Sequence, residues 1–80
     1  MKVIVYSNQN CGYCVKQKEF LEENKIEFEE RDISDVQHYQ SLLDLGGRGT
    51  PFTIIKTSET EKDIIVSGFD KERLTTLLIK

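Results

Sequence analysis

The chain is poor in the residue types that usually carry special chemistry. Among its 80 residues there are one histidine, one proline and two cysteines. With His38 alone and no second Cys-x-x-Cys, a four-ligand structural zinc site inside one chain is incomplete unless a carboxylate joins it. Two copies would supply four thiolates, so a metal or iron–sulfur cluster shared between chains stays open as an alternative. Apolar runs are short, far below the roughly 20 residues that cross a bilayer. Positive charge is not in excess. A net charge of -3 argues against nucleic acid as the main partner, because binding phosphates needs a basic surface. The opening MKVIVYSNQNC has one lysine and a short apolar run, too little for a signal peptide, so a cytoplasmic location is expected. Thiols are kept reduced there, which argues against a purely structural disulfide. No internal repeat, linker or low-complexity tract divides the chain, and 80 residues suffice for one compact domain, 1–80. Hydrophobic residues at 38% and charged residues at 31% fit a soluble globular protein, with a monomer as the default.

The pattern along the chain predicts βαβαββα. Residues 2–6, KVIVY, read as a buried strand. Asn10 is a candidate cap for a helix that starts at the cysteines and runs to about Glu23, with Phe20 and Leu21 facing the core and Asn24 at its end. Residues 26–32, IEFEERD, alternate as a half-exposed strand with Ile26 and Phe28 inward. Ser34 and Gln37 have the spacing of a capping box for a second helix. That helix carries Val36, Tyr39, Leu42 and Leu43 and stops at Gly46-Gly47. Residues 52–57 form a third strand after Pro51, the run SETEKD (58–63) a turn, and 64–67 a fourth strand. Asp70 caps a last helix with Leu74, Leu77 and Leu78 on one face. A strand–helix–strand unit implies a parallel pair, and the closing hairpin adds an antiparallel one. The result is an α/β fold with a mixed four-stranded sheet and helices on both faces.

Both cysteines fall in NCGYC, residues 10–14, at the junction of a strand and a helix. A helix start has unpaired N–H groups and a partial positive charge, which stabilise a thiolate on Cys11. Cys14 lies three residues on, in the same turn. Cys11 is therefore the candidate nucleophile toward a target disulfide, and Cys14 the thiol that resolves the mixed disulfide. Lys18, one turn beyond Cys14, reads first as a solvated surface lysine and second as a charge favouring a Cys14 thiolate. The stretch GRGTPF, residues 47–52, holds the one proline at a strand start. Read from the residues, Thr50-Pro51 is either a cis turn that leaves the Thr50 backbone open to an extended substrate, or trans punctuation.

Together the strand VIVYS, Cys11-Gly12-Tyr13-Cys14, Thr50-Pro51 and Ser67-Gly68-Phe69 resemble the glutaredoxin family of the thioredoxin-fold proteins over nearly the whole chain. The resemblance implies a thioredoxin-like fold with strand order 4-3-1-2 and a cis Thr50-Pro51 bond beside the cysteines. It also implies that Thr50 binds the substrate backbone. Typical glutaredoxins have Cys-Pro-Tyr-Cys and draw on glutathione. The NrdH-type redoxins look like them but take electrons from NADPH through thioredoxin reductase and supply ribonucleotide reductase. Tyr13 matches the glutaredoxin pattern, whereas Gly12 replaces its proline, and Asn8 stands where a lysine is frequent. Arg48 matches an arginine of both branches. Ser-Gly-Phe at 67–69 is closer to the NrdH pattern, and Lys71 puts positive charge where glutathione's amino group would need an acid. The resemblance thus implies a small thiol–disulfide oxidoreductase of the NrdH type, with a glutathione-dependent glutaredoxin as the alternative. Cys11 and Cys14 would be catalytic. Tyr13, Arg48, Thr50, Pro51, Gly68 and Phe69 would line the substrate groove. No bound cofactor is expected; the partners would be thioredoxin reductase and a disulfide-containing target such as ribonucleotide reductase. Spx and arsenate reductase relatives have a similar opening but are considerably longer.

Overall fold

A computed structural model describes residues 1–57 and 63–79. The elements are β1 (Lys2–Ser7), α1 (Gly12–Glu23), β2 (Glu29–Asp32), α2 (Val36–Asp44), β3 (Phe52–Lys56), β4 (Ile64–Ser67) and α3 (Lys71–Leu78). They form one four-stranded sheet in the order β2-β1-β3-β4, the expected order read from the other edge. β1 runs parallel to β2 and antiparallel to β3, and β3 pairs antiparallel with β4.

The continuous apolar run of β1 follows from its place inside the sheet, with both faces covered. Val3 and Val5 join Ile55 and Val66 on one face, where α1 contributes Phe20 and Leu21 and α3 contributes Leu74. Ile4 and Tyr6 join Phe52 and Ile54 on the other, under Leu42 of α2. Tyr6 is buried with its ring edge-on to Phe52, and its hydroxyl accepts a bond of 3.0 Å from Arg31 Nη1. That partner lets a phenol sit at a core position. Helices on both faces match the expectation.

Several boundaries differ from the sequence reading. The second strand begins at Glu29, not at residue 26; Ile26 and Phe28 precede it and pack against the first core cluster as partly buried residues. The cap of α2 is Asp35, whose carboxylate accepts from Gln37 N–H at 2.9 Å. Ser34 instead donates its N–H to Asp32 Oδ1 at 2.8 Å, so the Ser34–Gln37 box does not form. The apolar stripe on α2 is only partly core: Leu42 is buried, while Val36, Tyr39 and Leu43 are exposed. α2 ends as expected at its glycines, with Gly46 at φ +85° and Gly47 N–H bonded to Leu42 O. A side chain at Gly47 would run into Leu42 and Phe52. Asp70 caps α3 by accepting from Arg73 N–H at 3.1 Å. Most of the predicted turn at 58–63 lies outside the described residues.

Candidate active site

The end of β1 feeds a tight loop. Cys11 N–H donates to Asn8 O at 3.0 Å, and Asn10 N–H donates to Asn8 Oδ1 at 3.0 Å. Asn8 therefore organises the loop, and Asn10 does not cap the helix. The cap is Cys11 itself: its backbone is extended (φ -102°, ψ 112°), and its Sγ accepts from Cys14 N–H at 3.3 Å. The sulfur thus occupies the place a cap oxygen usually takes, at the positive end of the helix. The sequence reading put the nucleophile beside the cap; the structure makes the two one atom.

The two thiols are free and differ in environment. Cys11 is partly exposed, and Cys14 is fully buried. Burial pushes the Cys11 thiol up. Hydrogen bonds from Cys14, from the Thr50 side chain and from the Cys14 and Tyr13 backbone more than offset that, and the net position is below the ordinary thiol value. For Cys14, burial and the neighbouring Cys11 raise the thiol, and the bonds to Thr50 and Asn8 do not cancel this. The outer thiol is the better nucleophile at neutral pH, and the inner one is held protonated until needed.

The loop before β3 closes over the pair. Cys11 Sγ lies 3.4 Å from Thr50 O, and the Thr50-Pro51 bond is cis. Pro51 O accepts from Gly68 N–H at 2.9 Å, and Gly68 has φ +77°. Cys11, Cys14, Thr50, Pro51 and Gly68 are therefore brought together by direct contacts. Tyr13 projects from the first turn of α1, 64% exposed, with Lys16 Nζ 5.5 Å from its ring centre. Phe69 follows Gly68 and leans edge-on against Phe20, ring centres 6.0 Å apart. Arg48 is exposed two residues before Thr50. His38 stands on α2, its Nδ1 3.2 Å from Asp32 O. Among the described residues no cluster of three or more His, Cys, Asp or Glu could hold a metal ion, and no helix is long and apolar enough to cross a membrane.

Lys18 departs from its first reading. Its ammonium is bonded to Glu30 Oε2 at 2.8 Å, and the same oxygen accepts from Ser7 Oγ at 2.6 Å. Sequence reasoning also missed Gln17, which is fully buried and donates from Nε2 to Thr53 Oγ1 at 2.6 Å, tying α1 to β3. The only available signal was a polar residue on the inward side of α1.

The glutaredoxin family model matches residues 3–58, more than half of the chain. The chain belongs to the glutaredoxin family. It is 32% identical over 76 residues to the glutaredoxin-like protein NrdH of Lactococcus lactis subsp. lactis, covering 94% of this chain and 97% of that one. It is also 32% identical to the global transcriptional regulator Spx 2 of Bacillus anthracis, but it covers only 53% of that longer protein. Among solved structures, the thioredoxin-like protein BC3987 superposes with a TM-score of 0.81 at 37% identity, covering 96% of this chain and all of that one. The NrdH-redoxin from Escherichia coli reaches the same TM-score at 21% identity, which shows the shared thioredoxin-like fold. A glutaredoxin-family chain with a cysteine pair at this junction is a thiol–disulfide oxidoreductase.

Proposed function

We propose that the protein is an NrdH-type electron carrier. It reduces protein disulfides through Cys11 and Cys14, and thioredoxin reductase returns it to the dithiol at the expense of NADPH. Cys11 attacks one sulfur of the target, and Cys14 then displaces the target from Cys11. Thr50 and Pro51 present backbone to the extended target segment, in the manner of strand addition. Tyr13, Phe69 and Gly68 form the walls, and Arg48 adds charge at the rim. A ribonucleotide reductase is the kind of target this reading favours. No bound cofactor takes part.

The observation that carries the choice of branch is the packing at Phe69. Its ring fills the position beside Gly68 and meets Phe20 edge-on, and Lys71 Nζ lies 5.9 Å from the Phe20 ring centre. A glycine and an acidic group at these two places would admit and hold the γ-glutamyl end of glutathione; an aromatic ring and an ammonium do neither. The 32% identity to NrdH of L. lactis over nearly the full length of both chains supports the same branch.

The test offers the oxidised protein two reductants, NADPH with thioredoxin reductase, or NADPH with glutathione and glutathione reductase. Turnover is expected in the first system and little in the second. Efficient turnover with glutathione alone overturns the choice of branch. Cys11→Ser is expected to abolish disulfide reduction, and Cys14→Ser to accumulate mixed disulfides with the target. Full activity in Cys11→Ser would remove Cys11 from its role.

A further inference from the structure

The cysteine chemistry above leaves one charged group beside it unused. Lys18 stands one turn beyond Cys14 on the same side of α1. An unpaired lysine there would sample many rotamers, whereas this ammonium is fixed by Glu30 Oε2, and Ser7 holds that oxygen in turn. Ser7 is buried at the last position of β1, directly before the loop that delivers Cys11. The lysine shares a helix with Cys14, while Glu30 reaches it from β2, the edge strand on the far side of β1 from β3. The positive end of the pair is therefore the end on the cysteine helix. Glu30 holds this ammonium first, by its hydrogen bond and then by its charge; the smaller attractions come from a Cys14 thiolate one turn back and from Asp32.

Cys14 is the harder thiol to ionise, being buried and pushed up beside Cys11. Resolution nevertheless needs its thiolate. Cys14 releases its proton to solvent, and its sulfur attacks Cys11 Sγ in the mixed disulfide. The Cys11–Cys14 bond forms as the Cys11–target bond breaks. The target sulfur leaves with the bonding pair and is reduced, taking up a proton where its own acidity requires one. We propose that Lys18, clamped by Glu30 and Ser7, is a positioning residue that supplies the positive charge against which the Cys14 thiolate forms, and so sets the speed of resolution and not of the first attack. This rests on the assignment of Cys11 as nucleophile and Cys14 as resolving thiol. The charged and titratable groups facing Lys18 and Cys14 are Cys11 from the start of α1 and Glu30 and Asp32 from β2. Ser7 of β1, Gln17 of α1, Thr50 of the proline loop and Thr53 of β3 are neutral.

The two steps separate with 5,5′-dithiobis(2-nitrobenzoate) as the disulfide. Attack by Cys11 releases one coloured thiolate, and resolution by Cys14 releases the second. Lys18→Met keeps the apolar stem and removes the charge. The second phase should slow about threefold at pH 7, with its pH midpoint about one unit higher, since less thiolate is only partly offset by its greater nucleophilicity. The first phase should keep its rate and midpoint. Lys18→Arg, which retains the charge, should restore most of the second phase. An unmoved second-phase midpoint in Lys18→Met, equal slowing of both phases, or an arginine variant as slow as the methionine one overturns the proposal. A wild-type protein that releases only one thiolate overturns instead the assignment of the cysteine roles beneath it.

Discussion

Gly12 is the residue at which this chain departs from the Cys-Pro-Tyr-Cys pattern, and its surroundings show what proline would meet there. Gly12 is the first residue of α1, where the backbone N–H has no helical partner to lose. Cys11 before it is already extended, at φ -102° and ψ 112°, the conformation a following proline demands. A Cβ built at Gly12 touches nothing within 4 Å. Gly12→Pro should therefore fold normally and be more stable by about 0.4–1 kcal/mol, by restricting the unfolded chain. Thermal unfolding of the reduced form checks this; a lowered midpoint would mean that the Gly12 N–H holds a bond the fold needs. The same residues show why the cap was misread. Asn10 is the better capping side chain by ordinary preference, and cysteine is not among the favoured caps. Only the loop made by Asn8 shows that the Cys11 sulfur takes the N–H of Cys14. Where a local preference fails at a reactive residue, function is the competing demand.

At the scale of elements, both long helices on the two faces of the sheet end in the same way. Ile26 N–H bonds Leu21 O at 2.9 Å, and Lys25 N–H bonds Glu22 O at 3.0 Å; Gly47 and Gly46 make the corresponding bonds to Leu42 and Leu43. These are Schellman closures, each with a left-handed residue just past the cap. For α2 the left-handed residue is Gly46, and the stop was legible in the sequence. For α1 it is Lys25, at φ 57°, and nothing in its side chain signals it. What pins Lys25 there is the next residue, Ile26, packed with Leu21 in the first core cluster. Lys25 is exposed, so its side chain gains little to offset the left-handed backbone. Lys25→Gly should raise stability by about 1 kcal/mol, read from denaturant unfolding with an unchanged slope. A loss of stability would mean that the lysine stem has a partner. The element order and the sheet were readable because hydrophobic period and turn residues agree along most of the chain. The start of β2 was not, because Ile26 and Phe28 alternate like a strand while serving to dock the helix end and the linker. The α2 stripe shows a related limit: periodicity places Val36, Tyr39, Leu42 and Leu43 on one face, but not how much of that face a short helix buries, and only Leu42 is buried.

For the whole molecule, the consequence of two unlike thiols is a particular coupling of protons to electrons. Cys11 is held below the ordinary thiol value and Cys14 above it. The oxidised disulfide binds no thiol protons. The reduced native protein binds two at low pH, one between the Cys11 and Cys14 transitions, and none above both. For folding of the reduced form the signs are opposite for the two groups. The depressed Cys11 contributes stability that is present above the unfolded thiol value and lost as pH falls through its folded value. The raised Cys14 contributes stability that is present below the unfolded value and lost as pH rises through its folded one. The thiol-linked stability of the reduced form should therefore peak near the unfolded cysteine value, about pH 8.5, while the oxidised form shows no such peak. The same proton count governs the reduction potential. It should fall by about 59 mV per pH unit where reduction takes up two electrons and two protons, and by about 30 mV per unit where it takes up two electrons and one. The break between the two slopes should come below the ordinary thiol value, at the Cys11 transition. Equilibration against a dithiol couple of known potential, from pH 5 to pH 9, locates it. A single slope of about 59 mV continuing to pH 8.5 would mean that the helix start and the bond from the Cys14 N–H do not hold Cys11 as a thiolate. The geometric case for Cys11 as the nucleophile would then lose its electrostatic half.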